Sequence, residues 1–273
     1  MNYQKLLKEL GISYLGSSNQ SAKMSLSYKN GENTYGIYLA PYNMSGYQVC
    51  PNGQHCHEFC LNGSGRNKVE SFVNGGVGLT RTDISRIKRT KLFYENRDLF
   101  MDLLIHEIKR ELNYAKRNDM GFSVRLNCTS DLSPLIFKYK GSNENILDMF
   151  PNISFYDYSK CVSRYKLADS YDNYDLTFSY DGYNSNECEW IINQKKGRVA
   201  IVFHGNKLPK RFCGYDVIDG NKTDIRFRDA YNVIVGLHYH PTSNDYHIVS
   251  GKRVYIKPNT PFVIMENDER CEW

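Results

Sequence analysis

The fold is decided by a series of β-rich runs that begins with Phe122-Ser-Val-Arg-Leu-Asn127 and Ile153-Ser-Phe-Tyr-Asp-Tyr158 and continues with Leu176-Thr-Phe-Ser-Tyr180 and Val199-Ala-Ile-Val-Phe203. A fifth run follows at 233–237, and short helix-like segments lie between runs at 145–150 and 187–194. Strands that alternate with helices predict βαβ units and a parallel sheet. Because the runs follow one another closely, the helices must be short. We therefore expect an α/β fold, a partial (β/α) barrel with mostly parallel strands, with an open α/β sheet as the alternative.

The flanking regions add three elements to this core. A short helix is predicted at about 2–10, a strand at 34–40 and a long amphipathic helix at 95–116, where leucines and isoleucines recur on one face. No repeat or linker interrupts the chain. We predict one domain over residues 1–273, with an irregular segment and cysteine-rich loop at 1–80, the β/α core at 81–240 and an extension at 241–273.

Composition and charge argue against three classes of protein: membrane-spanning proteins, secreted proteins and strongly basic nucleic-acid binders. No apolar stretch approaches the 18 residues of a membrane-spanning helix, and the charged first ten residues do not resemble a secretory signal. These features predict a cytoplasmic protein without a membrane partner. The formal net charge is only +5. One basic stretch, at 81–91, is either a nucleic-acid contact or a solvated face beside a helix.

Three cysteines stand close together in the segment Cys50-Pro-Asn-Gly-Gln-His-Cys56-His-Glu-Phe-Cys60. Thiolates at this spacing can converge on one metal centre, because a loop with proline, asparagine and glycine bends easily. An iron–sulfur cluster held by Cys50, Cys56 and Cys60 would leave one iron open for a substrate. Zinc would need a fourth ligand from a histidine or a distant cysteine. The third alternative is that the cysteines bind no metal.

Polar residues follow the predicted strands at the ends where α/β folds build their sites. Arg125, Asn127 and Lys160 are the candidate catalytic residues. Farther along, Asp219, Asp224 and Arg226 are the candidate substrate-binding residues, because an arginine beside carboxylates can hold a carboxylate or phosphate group in two-pronged geometry. The alternative is that these charges belong to turns and surface ion pairs.

Several segments resemble the phage family described as gene product 88-like, whose activity is not established. The resemblance rests on the cysteine loop with Gly63-Ser-Gly-Arg66, and on segments at 125–131, 150–160, 174–179, 198–203, 217–227 and 233–237. Together these cover most of the chain in order. The resemblance implies a viral protein that acts in the host cell cytoplasm.

A second similarity is to radical-SAM enzymes, which hold a [4Fe–4S] cluster on three cysteines after the first strand of a partial barrel. This similarity implies Cys50, Cys56 and Cys60 as cluster ligands and S-adenosylmethionine as a cofactor. Two departures stand against it. The family spacing is Cys-x3-Cys-x2-Cys, whereas five and three residues intervene here, and no Gly-Gly-Glu-like segment follows the second strand.

The leading hypothesis is a phage-encoded iron–sulfur protein that acts on an anionic small molecule. The alternative hypothesis is a zinc-stabilised module that binds nucleic acid or a host protein. It draws on the basic stretch and on the 22 tyrosines, which can stack on bases.

Overall fold

The computed structural model describes residues 2–18, 21–53, 55–57, 60, 62, 78–241, 245–249 and 252–273. Contacts between Cα atoms divide the chain into two compact units. Unit 1 comprises residues 1–52, 83–177 and 222–229, and unit 2 comprises the remainder. Gly63-Ser-Gly-Arg66, on which part of the family resemblance rests, lies outside the described residues.

Unit 1 contains a mostly parallel set of strands. The short strand β1 (Gly16–Ser17) pairs antiparallel with β2 (Glu32–Ile37), and β2 pairs parallel with β3 (Gly121–Arg125). Strand β4 (Ser154–Ser159) lies parallel to β3, and β5 (Tyr174–Ser179) follows β4 in the strand order. Every residue of β2 is buried, as expected for a parallel strand that is covered on both faces.

Six α-helices of the described residues accompany these strands. They are α1 (Tyr3–Glu9), α2 (Ala22–Lys29), α3 (Arg81–Glu95), α4 (Arg97–Arg117), α5 (Ile146–Met149) and α6 (Val162–Ala168), with the first two residues of α3 assigned to unit 2. Asn96 separates α3 from α4 and caps α4 by accepting a hydrogen bond from Leu99 N. The long helix α4 places Phe100, Leu104 and Ile108 in the core.

Unit 2 is arranged around β6 (Arg198–Phe203). Parallel neighbours of β6 are the end of β5, β9 (Val233–His238) and β12 (Val263–Ile264). Strand β8 (Tyr215–Asp219) lies parallel to β9, and the antiparallel strands β7 (Arg211–Phe212) and β13 (Cys271–Glu272) follow in the strand order. Among its described residues, unit 2 also contains helix α7 (Ser185–Ile192) and the antiparallel pair of β10 (Tyr246–Val249) with β11 (Lys252–Tyr255).

The α/β class, the mostly parallel strands and the short helices are therefore confirmed. The barrel is not, because the strand orders are linear and no pairing among the described residues closes a ring of strands. The alternative of an open sheet describes the strands better. Within the described ranges, no helix is both long enough and apolar enough to cross a membrane.

Candidate functional site

The carboxyl ends of β3 and β4 bring together two groups of buried polar side chains in unit 1. Residues alternate between the two faces of a strand, so Tyr156 and Tyr158 share one face of β4 while Asp157 lies on the other. The first face carries a group that we call the arginine cluster: Arg125, Tyr158, Asp224 and Arg226. The second carries the carboxylate network: Asn127, Asp131, Asp157, Arg164 and Tyr174.

In the carboxylate network, nearly every charged oxygen accepts a hydrogen bond. Asp157 accepts from the backbone and the side-chain amide of Asn127, at 2.9 and 2.8 Å, and from Arg164 at 3.3 Å. Asp131 is paired with Arg164 and accepts from the Ser159 hydroxyl and from the backbone N–H of Lys160. Burial raises the pKa of Asp157, although Arg164 and Asn127 oppose that rise. Arg164 Nε is the exception, a buried donor without an acceptor among the described residues. The network holds the loop after β3 against β4 and α6.

The arginine cluster is built from residues that are far apart in the chain. Arg125, the last residue of β3, forms an ion pair with Asp224, and its guanidinium lies 5.1 Å from the centre of the Tyr158 ring. Asp224 is fixed by its backbone N–H, which donates to Ser27 Oγ of α2 at 3.2 Å. Arg226 begins a 3₁₀ turn, donates to the Thr223 carbonyl and lies 2.9 Å from Asp229.

Several donors in this cluster have no acceptor among the residues that the structure describes. They are Arg125 Nε, Arg226 Nε and the Tyr158 hydroxyl. Arg226 is 1% exposed, and Arg125 has 12% of its side chain exposed. A buried donor left without a partner costs about 1–3 kcal/mol, and such groups in native proteins call for an explanation such as water or a ligand.

Electrostatics keep Arg125 and Tyr158 in their hydrogen-bond donor forms. Burial lowers the pKa of the Arg125 guanidinium. Asp224 opposes this effect most strongly, and together with Cys128 and two neighbouring tyrosines it makes the net pKa shift upward. Burial, reinforced by Asp224, also raises the pKa of Tyr158. The Tyr158 oxygen therefore keeps its proton at neutral pH, and Arg125 is a cation.

The six sequence-predicted site residues fall into three places. Arg125, Asp224 and Arg226 meet in the arginine cluster, while Asn127 and the backbone of Lys160 belong to the carboxylate network. Asp219 lies in unit 2, where it accepts hydrogen bonds from the backbone and side chain of Asn221. Their catalytic and binding roles remain predictions.

Sequence reasoning missed Tyr158 as a member of the site. The sequence did carry a signal for it: side chains alternate between the two faces of a strand, so Tyr156 and Tyr158 of Ser154–Ser159 lie on the same face. What the alternation does not reveal is that Arg125 stacks against both rings.

The three cysteines of the predicted metal centre are all free thiols of intermediate exposure. Cys50 Sγ lies 3.8 Å from the Thr129 carbonyl in unit 1, and Cys56 and Cys60 belong to unit 2. Among the described residues, which include these three, no group of three His, Cys, Asp or Glu side chains is placed to hold a metal ion. The metal centre therefore remains a prediction from the spacing.

Part of the basic stretch at 81–91 is engaged inside unit 1. Arg89 is 4% exposed and donates to the Tyr14 and Tyr38 carbonyls and to the Ser85 hydroxyl, and Lys88 Nζ donates to the Gly11 carbonyl. Lys91 is exposed. Nucleic-acid binding stays a prediction, and Lys91 is a better place to test it than Arg89.

Comparison with known families identifies the group to which the chain belongs. The family model of gene product 88 matches residues 6–249, which is most of the chain. The protein belongs to the gene product 88 family. No curated protein and no solved structure matches it. The similarity to radical-SAM enzymes receives no support from these comparisons.

Proposed function

We propose that this gene product 88 protein, which we take to be phage-encoded, binds an anionic small molecule at the arginine cluster. One observation carries the proposal: Arg125, Arg226 and Tyr158 retain buried donors that have no acceptor in the described part of the chain. A carboxylate or phosphate oxygen accepts hydrogen bonds from arginine and hydroxyl donors of this kind. Such a ligand would remove the cost of the unpaired donors.

The charge balance of the cluster favours a ligand of low charge. Asp224 already neutralises Arg125, and Asp229 lies beside Arg226. The ligand would therefore be held mainly by hydrogen bonds from fixed donors rather than by excess positive charge. The same donors would stabilise negative charge that develops on a bound substrate, so Arg125 is the first residue to test if an activity is found.

Tyr158→Phe provides a sharp test, because it removes one unpartnered hydroxyl and leaves the ring in place. Binding of inorganic phosphate and acetate would be measured by isothermal titration calorimetry. We expect saturable binding of at least one of them to wild type, and weaker binding to Tyr158→Phe by about 5- to 150-fold, the equivalent of 1–3 kcal/mol.

The control is Tyr139→Phe, because the Tyr139 hydroxyl donates to Asp102 and the ring is not part of the cluster. It should bind as wild type does. Equal affinity of Tyr158→Phe and Tyr139→Phe for the ligand, or no saturable binding of either probe to wild type, would contradict the proposal.

An iron–sulfur cluster on Cys50, Cys56 and Cys60 is the second candidate function. Its support is the spacing of three free thiols within eleven residues. S-adenosylmethionine as a cofactor depends on that cluster. Zinc in place of iron would favour the alternative of a binding module for nucleic acid or a host protein.

Metal analysis after anaerobic purification separates these outcomes. If the cluster exists, wild type contains iron and sulfide and Cys56→Ala loses both, whereas Cys213→Ala, at an exposed thiol outside the predicted centre, retains them. About one zinc per chain would point to the binding module. Absence of both metals from anaerobic wild type would refute the metal centre.

A further inference from the structure

A cavity lined by polar and charged residues lies in unit 1, between β2 and the C-terminal half of α4. Its volume is about 280 Å³, and we call it the Asn33 pocket. The residues that line it are Ser18, Asn33, Arg110, Glu111, Tyr114 and Arg117. Four of them lie on one side of α4, because Arg110 and Glu111 precede Tyr114 by four and three positions and Arg117 follows it by three.

The inner wall of the pocket is rich in hydrogen-bond acceptors. Asn33 is 1% exposed, and its Oδ1 has no donor partner among the residues described in the structure. Its Nδ2 donates to Glu111 Oε2 at 3.4 Å, so the amide is held with Oδ1 as the free acceptor. The Glu111 carboxylate, 18% exposed, is fixed by the Ser18 hydroxyl at 2.7 Å and by Arg110 at 3.0 Å.

The outer wall carries positive charge. Arg110 has 43% of its side chain exposed, and Arg117 is exposed one turn beyond Tyr114. Arg117 is held at its base by a hydrogen bond from Nε to the Asn113 carbonyl. The Tyr114 hydroxyl lies 2.6 Å from that of Tyr28, which fixes the ring between the two arginines along the helix.

We propose that the Asn33 pocket binds a small zwitterionic amine, a primary amine that also carries a carboxylate or phosphate group. The ammonium group would donate to Asn33 Oδ1 and lie beside the Glu111 carboxylate, satisfying the buried acceptor. The anionic group would meet the guanidinium groups of Arg117 and Arg110. A volume of about 280 Å³ is at the lower end for small-molecule sites, which fits a ligand of this size.

The proposal predicts that both ends of the ligand are needed. Calorimetric titrations of the full chain would use phosphoethanolamine and β-alanine, each compared with its amine-free counterpart, ethyl phosphate and propionate. We expect at least one amine to bind at least tenfold more tightly than its counterpart. The comparison of phosphoethanolamine with β-alanine then identifies the anionic group. Equal affinity within both pairs, or no saturable binding by either amine, would overturn the proposal.

Substitutions of residues in the pocket test whether the amine binds there. Arg117→Gln should weaken binding of the preferred amine roughly tenfold, whereas Lys116→Gln, at the adjacent exposed position, should not. Asn33→Ala should reduce affinity further, and Arg117→Gln still decides the matter if Asn33→Ala does not fold. Equal affinity of the Arg117→Gln and Lys116→Gln proteins would refute the site. Tyr158→Phe should leave this binding unchanged, so failure at the arginine cluster and failure here are distinguishable.

Discussion

Gly36 on β2 lies opposite Arg125 on β3, and the side chains around it leave no room for a larger residue. A Cβ atom at this position would lie 2.5 Å from Met24 Cε and 2.6 Å from Cys128 Sγ. Both distances are far shorter than a van der Waals contact. Gly36→Ala should therefore lower the free energy of unfolding by about 1–3 kcal/mol, the usual cost of overpacking. Urea denaturation at neutral pH measures it.

A second substitution, Cys128→Ala, tests whether a clash with the Cys128 sulfur causes the loss of stability in Gly36→Ala. Cys128→Ala removes the sulfur that the new methyl group would strike, so the double variant should lose less stability than the sum of the two single variants. A strictly additive result would show that the clash with Cys128 is not the source of the loss. Burial raises the pKa of the Cys128 thiol to about 11, so the group removed is a neutral one.

At the scale of elements, Glu107 ties α4 to the first two strands. Its carboxylate accepts from the backbone N–H groups of Leu15 and Gly16, each at 3.0 Å, and from the Tyr35 hydroxyl at 2.5 Å. Glu107→Gln would turn one acceptor oxygen into an NH₂ group that faces donors. We expect a loss of about 1.5–3 kcal/mol in the free energy of unfolding, because hydrogen bonds to charged groups are worth this much.

Glu9→Gln is the matched control, since Glu9 is exposed and forms only a surface pair with Lys5. It should change stability by less than about 0.5 kcal/mol. A Glu107→Gln protein as stable as Glu9→Gln would mean that the buried carboxylate contributes nothing to the attachment of α4.

Elements with a strong periodic pattern were predictable, and those that depend on tertiary contacts were not. The five strand runs and the long helix α4 lie where periodicity and β-branched residues indicated. Helix α2 was missed because its serines and tyrosine are typical of extended chain. The helix forms with Ser21 as its cap, and Met24 is fully buried. Helix α3 was read only as a basic stretch, although it buries Leu92 and Phe93.

The candidate site was predictable by residue type but not by geometry. Arg125 was predicted because it lies at the end of a strand, and Asp224 and Arg226 were predicted because they lie in a segment rich in charged residues. Nothing in the sequence reveals that Arg125 and Asp224, 99 positions apart, form an ion pair. Nor does it reveal which of their donors remain without a partner, because that depends on packing of segment 222–229 over β3 and β4.

At the scale of the whole molecule, stability should fall as pH rises above the usual range of carboxyl groups. Burial raises the pKa of Glu32 above 4.5, although Ser123 and Arg228 oppose the rise, and burial also raises the pKa of Asp157. Between the unfolded and folded pKa values the folded chain binds more protons, so the free energy of unfolding decreases as pH increases. Asp268, whose pKa is lowered by its hydrogen bond with Arg270, acts in the opposite direction below pH 3.8.

Glu32→Gln tests the contribution of Glu32 to this pH dependence. Urea titrations between pH 4 and pH 8 should show a shallower loss of stability with rising pH in the variant than in wild type. Parallel pH profiles for the two proteins would show that Glu32 does not titrate with a raised pKa.

The pairing of Glu32 with Arg228 also has an evolutionary consequence. These residues lie 196 positions apart, yet a nearly buried carboxylate on β2 is neutralised by a guanidinium from the turn at 226–228. Loss of Arg228 alone would leave the nearly buried Glu32 carboxylate without its ion-pair partner. Among members of the family, we expect the two positions to change together, as a compensated pair or as joint loss of both charges. The turn and the strand would then be inherited as one unit, despite the long stretch of chain that separates them.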